Sequence, residues 1–224
     1  MVKGLDTFQK YFADYEEQYV LIGGAACDIL FESNEVNFRA TRDLDMVLIV
    51  EALTPEFGEK FWEFIVDGKY RNKATNGSNP QFYRFDKPED DEFPKMIELF
   101  CRSDFKLKNA KGITPIHIDD EVSSLSAILL NDDYYKALLN GKEVRNGLSV
   151  LRPEYIILFK AKAYLDLQKR KDSGEKLDSS DIKKHKKDVL RIASELMLEK
   201  EEELPKAVDA DIHSIIDFLE QEPF

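Results

Sequence analysis

The sequence predicts an α+β fold: a mixed sheet flanked by helices, followed by a C-terminal helical region. Three observations carry that expectation. A short β-rich run, 19–22, ends at Gly23-Gly24 and passes into good helix formers. Two apolar runs, 44–50 and 95–101, have the length and composition of buried strands. Beyond Leu151-Arg152-Pro153 the composition shifts to long stretches of helical pattern. The expected organisation is therefore an α/β domain carrying the chemistry over residues 1–150 and a helical region over 151–224.

The elements follow in order. Phe8, Tyr11, Phe12 and Tyr15 recur at i, i+3, i+4 and i+7, which predicts an opening amphipathic helix. After the strand at 19–22, the Gly-Gly turn places backbone N–H groups at the start of a helix over 25–31, where an anion can be held. Residues 34–42 are polar and loop-like. Pro55 begins a helix to about residue 66, with Phe57, Phe61, Phe64 and Ile65 on its apolar face. Residues 72–80 are turn-rich, and 81–85 alternate as a strand does. The stretch 86–94, with Glu89-Asp90-Asp91-Glu92 and two prolines, reads as an exposed connection. Short β-like runs are expected at 116–118, 127–130 and 144–150, punctuated by Gly141 and Asn146-Gly147. Helices are expected over 154–168, 181–198 and 209–220, with a polar loop at 171–180.

Asp43 and Asp45 stand at the head of the first apolar run, and Glu98 stands inside the second. Carboxylates embedded in buried strands are costly unless a positive charge compensates them. Side chains alternate across a strand, so Asp43 and Asp45 share one side while Leu44 and Met46 take the other. Two such carboxylates can bind hard divalent cations through oxygen, and Glu98 from a neighbouring strand could complete the cluster. Magnesium ions about 4 Å apart can activate a hydroxyl and neutralise a pyrophosphate leaving group. Gly23 and Gly24 allow close backbone approach to a triphosphate without Cβ interference. Taken singly, Asp-x-Asp at a strand edge is usually a solvated turn, and Gly-Gly often just a tight turn. Their order along the chain is what sharpens the signal.

That order (strand, Gly-Gly, helix, Asp-x-Asp strand, Glu strand) resembles the nucleotidyltransferase superfamily, whose fold is shared with DNA polymerase β. Within it, Arg39-Ala40-Thr41-Arg42-Asp43-Leu44-Asp45 is similar to the R-x-T-x-D-L-D stretch of AbiEii/AbiGii-type nucleotidyltransferase toxins. Phe159-Lys160-Ala161-Lys162-Ala163 resembles that family's lysine-bearing C-terminal helix, and the segment 181–188 its closing Lys/Arg-Asp segment. The resemblance spans residues 20 to about 191. It implies Mg2+ (or Mn2+) held by Asp43 and Asp45, with Glu98 as third ligand or general base. It further implies an NTP substrate, met by Gly23, Gly24 and one of Lys160 and Lys162, which point to different helix faces and of which Lys160 is the expected one, with a C-terminal acid, Asp181 or Asp188. Arg39, Thr41 and Arg42 either contact nucleotide or acceptor or order the loop before the strand. The chain departs from the family pattern at Ala25, where no Ser hydroxyl follows the glycines, so a phosphate grip there is by backbone. The 18 residues between Gly24 and Asp43 also exceed the compact spacing.

Bulk composition narrows the functions. Hydrophobic residues make up 43% of the 224, and 15 Phe with 9 Tyr predict an aromatic-rich core. A net charge of -12 argues against a general nucleic-acid coat protein, because counterion release needs Lys and Arg facing phosphate. Residues 160–191 nonetheless hold eleven Lys/Arg against six Asp/Glu. That stretch reads either as a patch for an RNA end or polyphosphate, or as a solvated helix face with i, i+4 pairs; few aromatics interleave it for base stacking. Cys27 and Cys101 read as small core residues of a reducing compartment. His117 and His213 read as core or surface histidines, while His185 could orient a neighbouring Asp. No apolar run approaches the roughly 20 residues that span a bilayer, and the N-terminus lacks a signal-peptide core, so a cytoplasmic protein without a membrane partner is expected.

Three functions remain. The first is metal-dependent transfer of an NMP from an NTP to a hydroxyl of RNA or protein. The resemblance gives it a toxin or phage-defence setting, with an antitoxin partner left open. The second is the same transfer to a small molecule of the aminoglycoside kind, which an acidic surface would suit. The third is nucleotide or partner binding without turnover.

Overall fold

The structure, a computed structural model, describes residues 3–31, 43–72, 82–102, 128–129, 131–195 and 203–221. The chain divides into two compact units, Met1–His117 with Lys142–Arg152, and Ile118–Gly141 with Pro153–Phe224.

The first unit is α/β, built from α1 (Leu5–Phe12), β1 (Tyr19–Ile22), α2 (Gly23–Phe31), β2 (Asp43–Leu48), α3 (Pro55–Asp67), β3 (Arg71–Asn72), β4 (Phe82–Asp86), β5 (Met96–Cys101), and the strands β6 (Lys142–Arg145) and β7 (Leu148–Leu151). Among the described residues, seven strands form one mixed sheet in the order β3-β4-β5-β2-β1-β7-β6. The pairs β2·β5 and β1·β7 are parallel; β1·β2, β4·β5, β3·β4 and β6·β7 are antiparallel.

Burial explains which strands are central. All four residues of β1 are buried, as suits a strand covered on both faces. In β2, Leu44, Met46 and Leu48 are fully buried on one face, while Asp43 and Asp45 on the other are partly exposed. The apolar face is covered by an aromatic layer. Phe8 and Phe12 of α1 and Phe57, Phe61 and Phe64 of α3 are completely buried. Phe8 meets Tyr19 edge-on at 5.6 Å, and Phe61 meets Phe85 at 5.5 Å. By strand alternation, Tyr19 and Phe85 point away from the face that carries Asp45 and Glu98. Helices α1 and α3 therefore back the sheet from the side opposite those carboxylates.

Local signals set the element ends. Thr54 caps α3, its Oγ1 accepting the Phe57 N–H at 3.3 Å, with Pro55 in the first turn. Gln18 fixes that cap by accepting the Thr54 N–H at 3.0 Å. Asn146 (φ 52°) and Gly147 (φ 69°) form the two-residue turn joining β6 to β7, which is why Asn-Gly stands there.

The second unit is helical: α4 (Asp132–Asn140), α5 (Pro153–Asp172), α6 (Ser179–Glu195) and α7 (Lys206–Gln221). Its core brings together Ala161, Tyr164 and Leu167 of α5, Ile182 and Val189 of α6, and Ile215 of α7.

Two expectations are corrected. The run at 127–130 was expected to be extended, but Ile128 and Leu129 are helical. Helix α4 follows where no helix was expected. Its cause is local: the Asn131 side chain caps the N–H groups of Asp133 and Tyr134 at 2.9 and 3.3 Å, and Tyr134, Tyr135, Ala137 and Leu138 form a buried stripe. The readings of 34–42, of 116–118 and of 73–80 lie outside the described residues. Cys27 and Cys101 are both buried and neither forms a disulfide. Among the described residues, no helix is long and apolar enough to cross a membrane.

Candidate active site

Strand pairing assembles a row of charged groups across three neighbouring strands. Asp45 of β2 pairs in register with Glu98 of β5, and Glu98 pairs in turn with Arg84 of β4. Directly paired residues share a face, so Arg84, Glu98 and Asp45 point to the same side of the sheet. Asp43, two residues before Asp45, joins them by alternation. Glu98 is only 8% exposed. Its burial is offset by Arg84, whose Nε and Nη2 both donate to Glu98 Oε1, at 2.7 and 2.5 Å.

The Gly-Gly turn meets this row. Ile22, the last residue of β1, pairs with Asp45, so Gly23 begins α2 beside the aspartate. Gly23 has φ +66°, and a Cβ placed on it would lie 2.3 Å from Asp45 Oδ2. The left-handed backbone favours glycine here, and any side chain would also displace the Asp45 carboxylate. The start of α2 also brings the positive end of a helix dipole beside Asp45. Donors of this kind, hard carboxylate oxygens beside a cradle that a Cβ would fill, suit a divalent cation such as Mg2+. Among the described residues, no three His, Cys, Asp or Glu side chains are gathered closely enough to hold a metal ion.

The second unit has its own polar cluster. Lys160 of α5 pairs with Asp188 of α6 at 2.8 Å, and the two side chains are only 13% and 11% exposed. His185, one turn before Asp188, is buried as well. Lys162 points elsewhere, bridging Asp166 at 3.3 Å and Asp211 at 3.2 Å, near the Tyr134 ring. Tyr134 donates its O–H to Asp211 at 2.8 Å. Burial, helped by Asp211, pushes the Tyr134 phenol well above its usual range. For Lys162, burial pulls the pKa down, but Asp166 and Asp211 outweigh it and the net shift is upward.

The predicted site residues therefore divide into groups. Gly23, Asp43, Asp45 and Glu98 come together on one sheet face, with Gly24 following in the first turn of α2. Lys160 belongs to the other unit and is ion-paired there. Asp181 lies in α6, its side chain outside the described residues, as are Arg39, Thr41, Arg42 and His117. His213 is exposed on α7, its pKa raised by the Asp209 carbonyl and carboxylate. Arg84 and the Lys160–Asp188 pairing were not anticipated. A signal for Arg84 was present, an arginine set among aromatics in Phe82-Tyr83-Arg84-Phe85.

Comparison with known proteins adds little. No protein-family model matches the chain, and no curated protein matches it. Among solved structures, it is similar to an antigenic nucleotidyltransferase-like protein from Paracoccidioides brasiliensis. That match is 14% identical, covers 95% of this chain and 88% of the other, and has a TM-score of 0.43. A superposition this loose carries no argument about the site.

Proposed function

We propose that this chain is a metal-dependent nucleotidyltransferase, moving an NMP from an NTP to a hydroxyl acceptor with release of pyrophosphate. The observation that supports it most is the in-register pairing of Asp45 with Glu98, on the face where Gly23 abuts Asp45 Oδ2. In this reading Asp43 and Asp45 hold the divalent ion, and Glu98, opposite Asp45 on the same face, accepts the acceptor's proton. A bound divalent ion supplies Lewis-acid polarisation of the phosphate oxygens and charge neutralisation of the leaving pyrophosphate. Gly23 and Gly24 give the polyphosphate a path past the backbone at the positive end of α2. The hydroxyl oxygen bonds to the α-phosphorus, and the bond from that phosphorus to the bridging oxygen of pyrophosphate breaks.

The acceptor is a hydroxyl of RNA or protein in the toxin-like form of this reading, in which an antitoxin would be a partner. The net charge of -12 favours a second acceptor class, a small polycation of the aminoglycoside kind.

The test is label transfer from each α-labelled NTP with Mg2+ or Mn2+, in the presence of total tRNA, a protein extract or an aminoglycoside panel. Label is expected on one of these, with Asp43→Asn lowering the rate at least about 100-fold, since even outer partners of metal ligands cost 10–100-fold. Nucleotide binding without transfer to any acceptor, unaffected by Asp43→Asn, would overturn the proposal in favour of a binding-only role.

A further inference from the structure

Strand β6 ends the sheet: β7 lies on one side of it and, among the described residues, no strand lies on the other. We propose that this edge is a contact between two copies of the chain, in which β6 pairs antiparallel with β6 of a second copy about a two-fold axis at Val144. Nothing in this contact depends on the nucleotidyl-transfer reading.

The hairpin sets which backbone groups face outward. Its two-residue turn, Asn146-Gly147, makes Arg145 and Leu148 the closing pair, which exchange backbone hydrogen bonds. Bonded and non-bonded pairs alternate along an antiparallel ladder, so Glu143 and Val150 also exchange bonds while Val144 and Ser149 do not. The N–H and C=O of Val144 are therefore directed away from β7, toward the open edge. In a two-fold pairing centred on Val144, the two valines exchange both hydrogen bonds. An axis at Glu143 or Arg145 fails on two counts. The backbone groups of those residues are committed to β7, and like charges would stand opposite each other.

The side chains suit the same register. Val144 is 52% exposed, a large apolar side chain in solvent. Glu143 and Arg145 flank it on the opposite face of the strand. Within one chain they are already joined, Arg145 Nη2 donating to Glu143 Oε1 at 3.0 Å, and the Arg145 side chain remains 54% exposed. The two-fold axis sets Glu143 opposite Arg145 of the second copy, and Arg145 opposite its Glu143. One apolar pair is thus bracketed by two pairs of opposite charge. Charges on an edge ordinarily oppose pairing; here their signs admit one register and reject its neighbours. A stable complex buries roughly 1,200–2,000 Å², more than one short strand supplies, so the dimer is weak and reversible.

Sedimentation equilibrium of the full chain, at loadings up to about 1 mM, reads this association directly. A monomer–dimer equilibrium that weakens with added salt is expected. Glu143→Arg sets like charges opposite one another and should raise the dimer Kd about tenfold or more. Exchanging the pair, Glu143→Arg/Arg145→Glu, should return Kd to the wild-type value. Val144→Pro removes the outward N–H, a loss that edge strands tolerate, and should abolish the dimer while leaving the circular dichroism of the chain unchanged. The charge variants decide the matter should proline disturb the hairpin. A monomer at every loading would overturn the inference. So would a dimer indifferent to Glu143→Arg, or one that the exchanged pair does not restore, since either places association on another surface.

Discussion

Gly23 is the residue at which backbone geometry and candidate chemistry meet. Its φ of +66° lies in the left-handed region, and a Cβ on it would lie 2.3 Å from Asp45 Oδ2. Gly23→Ala therefore incurs a backbone penalty of about 1–2 kcal/mol and displaces the Asp45 carboxylate. The expected outcome is a lowered urea midpoint together with weakened NTP affinity, read by denaturation and by calorimetry. A stable variant with unchanged nucleotide binding would remove Gly23 from the site. A second residue-level effect is distant from the site. Tyr11 donates its O–H to Asp67 at 2.6 Å, and that hydrogen bond, with burial, raises the phenol from 10.0 to about 12. The folded state thus holds the proton more tightly than the unfolded state does. The contribution is fully present below pH 10 and is lost as pH rises from 10 to about 12. The stability difference between wild type and Tyr11→Phe, followed by chemical denaturation, should shrink across that window and stay flat below it.

At the scale of elements, the contact between α5 and α6 depends on a charged pair with little access to water. Removing one partner of Lys160–Asp188 strands the other, which costs about 3–5 kcal/mol for a buried pair. Lys160→Met and Asp188→Leu should each lower the stability of the helical unit by that order. The double variant should recover most of the loss, since an apolar pair suits the neighbouring Ala161, Tyr164 and Val189. Thermal melts of the three variants check this. A double variant as unstable as the singles would point to a role for the pair beyond packing. Elements also show where local sequence was informative. Helix α3 was legible because Pro55 and the Phe57-Phe61-Phe64-Ile65 spacing agree, and the Thr54 cap is consistent with both. Helix α4 was not legible although Asn131 and its stripe are equally local, because adjacent tyrosines suit a strand as well as a helix.

At the scale of the whole molecule, charge is partitioned unevenly along an acidic chain. With -12 overall, sequence-independent RNA binding should be weaker than the 10⁻⁴–10⁻⁶ M scale common at physiological salt. Fluorescence anisotropy with an unstructured RNA at about 150 mM salt measures it; micromolar binding would shift weight to the lysines of residues 160–191 as a nucleic-acid surface.

The amino-acid sequence by itself determined the α/β character, the Gly-Gly turn, and the shared side of Asp43 and Asp45, because each follows from a period of two or from residues adjacent in the chain. It also indicated that Glu98, set in an apolar strand, needed a compensating positive charge. Only the tertiary structure decided that β5 lies parallel beside β2 with Glu98 opposite Asp45, that the compensating charge is Arg84, and that Lys160 meets Asp188. Register between strands about fifty residues apart is set by which faces are buried together, and no local pattern encodes that choice.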